Sequence, residues 1–110
     1  MKTSIEYQRL IQSCGISLQD IGIEDIALNR DDAIFAIDLL RQSAIPILGG
    51  DVYIRNSGRI DHAYANWHSD PKANETRDQF AERSCLEARR YVSDYPLSEA
   101  VPFFSLVLAK

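Results

Sequence analysis

The stretch Ile45-Pro46-Ile47-Leu48-Gly49-Gly50-Asp51-Val52-Tyr53-Ile54, with the turn Arg55-Asn56-Ser57-Gly58 behind it, decides how the chain is read. Its run of apolar and β-branched residues argues for a strand, and Pro46 stops any helix from entering it. Two adjacent glycines weaken a strand, so their presence implies a bulge, an unusual backbone dihedral or the close approach of another backbone. Alternate positions Leu48, Gly50, Val52 and Ile54 are expected to face the core, with Asp51 and Tyr53 on the opposite, exposed face. Asn56-Ser57-Gly58 is a turn signal, so Arg59 to Ala65 should return as the antiparallel partner in a β-hairpin.

Working outward from the hairpin, residues 4–13 read as a short helix with Ile5, Leu10 and Ile11 available for one face, and Gly15 fits its C-cap. Ser17 to Gly22 reads as a connector, and Ile23 to Asn29 as a loop or a further helical turn. Asn29 to Ser43 is an amphipathic helix: Asn29 or Arg30 lies at the cap, Asp31 and Asp32 suit the positive end of its dipole, and Arg41 lies in the last turn. Its buried stripe is expected at Ala33, Ile37, Leu40 and Ala44, with Ile34 or Phe35 at the margins. After the hairpin, Ser69 to Asn74 is a polar loop ending in a candidate N-cap. A second amphipathic helix over residues 75–95 then repeats Phe80, Ser84, Ala88, Tyr91 and Tyr95 at helical spacing, flanked by Ala81, Cys85 and Val92. Pro96 ends it, and Phe103 to Ala109 is apolar enough to be a buried strand beside the hairpin. The order α-α-β-β-α-β implies an α+β fold: a small, mostly antiparallel sheet of about three strands with helices packed on one face.

The 110 residues are expected to form a single domain, residues 1–110, around one core. Hydrophobic residues make up 45% and charged residues 25%, a globular composition without a membrane-spanning run or an apolar leader, so the expected location is the cytoplasm. Cys14 and Cys85 are too few for a disulfide framework and read as thiols. The net charge of −4 is unevenly spread: residues 1–51 hold eight acids against four bases, whereas residues 52–110 hold eight of each. Between residues 20 and 38, six acids face one base, Arg30. That excess argues against nucleic-acid binding and suits a basic protein partner, although a merely solvated helix face would look the same.

Catalytic constellations fare poorly. His62, His68 and Asp70 lack the spacing of a metal site, Cys85 sits in the apolar stripe of a helix, and Cys14 has no evident base. Gly49-Gly50 is followed by more strand rather than by the helix N-terminus that would hold a phosphate, and Asp31 and Asp32 point in different directions on their helix. No cofactor is expected. Trp67 is a candidate interface hot spot, and equally a lid on the core at the end of the hairpin.

Taken together, Ile47-Leu48-Gly49-Gly50-Asp51-Val52-Tyr53, Asn66-Trp67 and the helical Arg90-Tyr91-Val92-Ser93-Asp94-Tyr95 resemble the immunity protein 40 family of bacterial polymorphic-toxin systems. The likeness spans most of residues 27–108, and the glycine-glycine-aspartate-valine-tyrosine string is its most specific part. The resemblance implies a small, non-enzymatic protein that binds a cognate toxin domain, such as a basic nuclease, and protects the producing cell. Neither a nucleic-acid nor a membrane partner is expected, and the expected state is a monomer or weak homodimer. Asp51, Tyr53 and Trp67 are then the expected anchors, with Glu24, Asp25, Asp31 and Asp32 as a charged rim. The rivals from other classes are a small metal-dependent or thiol hydrolase, for the metal case around Asp51, His62 and His68, and a self-associating regulatory module.

Overall fold

The computed structural model describes residues 5–109. In chain order its elements are α1 (Ile5–Cys14), β1 (Ile16–Ser17), a 3-10 turn (Gln19–Ile21), β2 (Ile26–Asn29), α2 (Arg30–Gln42), β3 (Ile47–Asn56), β4 (Arg59–His68), α3 (Arg77–Asp94) and β5 (Val101–Leu108). The strands form one antiparallel sheet in the order β1-β2-β5-β3-β4. The fold is α+β as expected, with five strands where the sequence suggests about three. The two additional strands, β1 and β2, lie in the span read as connector, loop or helical turn. They are two and four residues long, too short to display a period of their own.

Local chemistry places the helices. Asn29 caps α2 by accepting a hydrogen bond from the Asp32 amide at 2.9 Å. Helix α2 buries Ala33, Ala36, Ile37, Leu39 and Leu40, whereas Ala44 falls past its end in a left-handed conformation (φ 53°) instead of extending the stripe. Thr76, rather than the loop's Asn74, caps α3 through a reciprocal pair of bonds with Gln79. The hairpin is longer than expected, since β4 runs on past Ala65 to His68.

Neighbouring residues in β3 and β5 enter different cores, which fixes the two faces of the sheet. Val52 and Phe104 join Leu28, Ile37, Leu40, Cys85, Ala88 and Val92 in the larger core beneath the helices. Tyr53 and Phe103 point the other way and join Leu18 and Ala27, with Ile16, Ile21, Ile23 and Ile60 packed around them. The segment from β1 to β2 is therefore a lid on the second face. This corrects the expected exposure of Tyr53, which is only 4% exposed. Among the described residues no helix is long and apolar enough to cross a membrane.

Candidate functional site

The glycine pair is explained by what lies against it. Gly50 sits between Trp67 of β4 and Leu106 of β5, and a Cβ added there would stand 2.4 Å from the Trp67 ring and 2.2 Å from the Ser105 carbonyl oxygen. Gly49 has φ 155°, and a Cβ there would stand 2.3 Å from the Trp67 carbonyl. The space so cleared lets the Trp67 indole lie across β3 and stack on Tyr91 of α3 at 4.6 Å. Tyr95 continues the aromatic row and meets Phe104 edge-on at 5.7 Å. Trp67 is thus half-buried as a lid on the larger core, while its indole nitrogen is buried without a hydrogen-bond partner.

On the opposite face, Asp51 is exposed and lies across from Asn66 of β4 and Ser105 of β5. Two residues along the strand, burial and the Asp51 charge raise the Tyr53 phenol above its ordinary proton affinity. Between Val52 and Tyr53 the register of β4 jumps from Ala65 to His62, so Ala63 and Tyr64 form a bulge. Tyr64 takes up φ 57°, a left-handed conformation that costs an L-residue about 1–2 kcal/mol. Its ring is 87% exposed. It stacks on His62 at 5.3 Å, and His62 in turn lies 5.4 Å from the Tyr53 ring.

The remaining expected site residues lie along the neighbouring edge. Glu24 and Asp25 precede β2 and line a groove of about 610 Å³, together with Tyr7, Ile11, Leu28 and Leu106. The groove opens where β2 stops pairing with β5: β2 reaches only Phe103 and Phe104, leaving the rest of β5 with a strand neighbour on one side. Asp25 also caps the Ile26 amide at 2.7 Å. Asp31 and Asp32 lie in the first turn of α2, where they offset its dipole, and Asp32 helps to raise the proton affinity of the neighbouring Cys14 thiol. The seven residues read from the sequence do not converge on one pocket: Trp67 belongs to the helical side of the sheet, and Tyr53 is covered. Sequence reasoning missed Tyr64, because nothing in Ala63-Tyr64 announces a bulge.

Charge is handled differently on α2 and α3. Arg41 forks onto Glu82, Arg89 reaches Asp38 at 3.1 Å, and Arg83 holds both Glu75 at 2.8 Å and Glu87 at 3.1 Å. The Arg83 hydrogen bonds hold the Glu75 carboxyl down to a pKa of about 2. By contrast, among the described residues Glu24, Asp25, Asp31, Asp32 and Asp51 have no basic group within ion-pair distance. The thiols are set against nucleophilic work: burial pushes Cys85 up to about 12, and its Sγ donates to the Ile45 carbonyl. His68 is paired with Asp70 at 3.8 Å while His62 lies in the aromatic stack, and the described residues contain no group of three metal-ligating side chains.

The sheet is thus covered on both faces, a tryptophan sits on the glycine pair, and five acids between Glu24 and Asp51 have no basic partner among the described residues. The sequence model of immunity protein 40 matches residues 17–108, and the chain belongs to the immunity protein 40 family. The match covers everything from the lid of the second core to the end of β5, leaving α1 outside it. No curated protein and no solved structure matches the chain at significant similarity.

Proposed function

We propose that this chain binds the cognate toxin domain of a polymorphic-toxin system in the cytoplasm of the producing cell and blocks its activity, without catalysing a reaction of its own. Family membership supports the class. The observation that carries the binding mode is that Glu24, Asp25, Asp31, Asp32 and Asp51, in the half of the sequence that holds eight acids against four bases, have no basic group within ion-pair distance among the described residues. A carboxylate with no partner in the monomer is free to meet a cation on another molecule. An excess of such groups speeds encounter with a basic surface such as a nuclease active site.

The anchors fall into different roles. Asp51, exposed on β3, is the direct contact. Trp67 and Tyr53 act from beneath, Trp67 by fixing β4 over the glycine pair and Tyr53 by supporting the second face. Among the described residues Glu24 has no side-chain hydrogen bond, whereas Asp25, Asp31 and Asp32 also serve local capping and dipole roles. The test is co-expression with the toxin domain encoded beside this chain. Growth restored by the wild-type chain, together with a complex that survives purification, is expected. Undiminished toxicity with no complex would overturn the reading.

A further inference from the structure

We infer that Tyr64 is the aromatic anchor of the toxin interface, receiving a lysine or arginine side chain of the partner between its ring and the Asp51 carboxylate. The inference rests on the toxin-binding reading above and names the contact that reading leaves open.

Folding accounts for the bulge at Tyr64 but not for its tyrosine. A bulge on β4 makes sense because β4 is the outermost strand, and an irregular edge resists pairing with another chain. Glycine would serve that purpose with less strain at φ 57°, and the ring, 87% exposed, adds little to either core. A strained backbone that presents a large side chain to solvent points to a role outside the fold.

The ring is nevertheless held in place. Tyr53, 4% exposed, meets His62 at a tilt, and His62 stacks on Tyr64, so a column of contacting rings rises from the second core to the surface. An aromatic side chain fixed in this way loses little freedom when a partner covers it, which suits a hot spot. Asp51 supplies the second half of the site. It pairs across the sheet with Asn66, two residues from Tyr64, and no basic group within the described residues neutralises it. The Ser105 hydroxyl opposite Asp51 is buried and lies against the Tyr53 phenol, so it supplies no counter-charge to the carboxylate. An unpaired carboxylate on one strand and an exposed ring on its neighbour, two residues from the paired position, are suited to a cation by charge and by cation–π attraction. The occupant is therefore a cationic side chain on the toxin's basic surface.

The probe is the toxin domain encoded beside this chain, inactivated in its own active site, and titrated with wild type, Tyr64→Phe, Tyr64→Gly, Asp51→Asn and the Tyr64→Gly/Asp51→Asn double variant. Melting curves are recorded for each. Tyr64→Gly is expected to melt no lower than wild type yet bind on the order of 30-fold more weakly, while Tyr64→Phe stays within about threefold. The two single losses should be less than additive in the double variant, because both groups hold one cation. Wild-type affinity in Tyr64→Gly, a melting point far below wild type in that variant, or strictly additive losses would each overturn the inference and leave toxin binding standing. A wild-type chain that forms no complex would instead sink the toxin-binding reading, and this contact with it.

Discussion

The α2–α3 side of the molecule and the edge running from Glu24 to Asp51 both carry several carboxylates, and they use them for different ends. On the helical side Asp38, Glu75, Glu82 and Glu87 each meet an arginine, which ties α2 to α3 and α3 to the loop before it. Elsewhere, Glu24, Asp25 and Asp51, and Asp31 and Asp32 in the first turn of α2, meet no arginine or lysine among the described residues. The carboxylates that tie the helices together find their counterions within the chain, whereas those proposed to meet a partner do not. The account predicts that stability and binding separate along this line.

The largest effect is expected where both sides share a support. Gly50→Val drives a side chain into the Trp67 ring and the Ser105 carbonyl, and should destabilise by about 3 kcal/mol or more, read by denaturant unfolding. Trp67→Ala empties the same place from above and removes the stack on Tyr91, at a cost of about 3 kcal/mol, with Trp67→Phe milder. Either result near zero would mean that the glycine pair serves something other than the indole.

Arg83→Ala should come next. It releases Glu75, Glu87 and the Asp70 carbonyl together, lowers the melting temperature and leaves toxin affinity unchanged. Its pH signature is specific. Glu75 ionises with a pKa of about 2 in the folded chain against an ordinary 4.5, so its contribution is present above pH 4.5 and is lost as pH falls towards 2. Melting curves between those limits should show a steeper acid loss in wild type than in Arg83→Ala. The smallest change in stability belongs to Glu24→Gln and Asp51→Asn, within about 0.5 kcal/mol of wild type, although both should weaken toxin binding. A large stability loss from either would place these acids with the structural set.

Much of this arrangement was legible in the sequence, and the missing parts have physical causes. The strand with the glycine pair, the hairpin, both long helices and the final strand stand out because each is long enough to show a period or a stop signal. The lid was not legible. Ile26-Ala27-Leu28-Asn29 is only four residues, two paired with β1 and two with β5, and Leu18, Ile21 and Ile23 pack by tertiary contact rather than by any local pattern. Without the lid, Tyr53 reads as exposed. Phe103-Phe104 carries the correcting hint, since two adjacent large residues in one strand require burial on both faces. The acidic imbalance was visible as a count, but which acids are paired depends on Arg41, Arg83 and Arg89 being brought to them by the fold. Tyr64 had no signal, because its bulge lacks the glycine that usually marks one.

The most direct test of the division between structural and partner-facing charge is the affinity for the inactivated toxin domain as a function of salt, for wild type and for the Glu24→Lys/Asp51→Lys chain. The account predicts wild-type binding that weakens steadily with added salt, and a double variant that melts like wild type but binds far more weakly and with a shallower salt dependence. Equal affinities for the two chains, insensitive to salt, would contradict it.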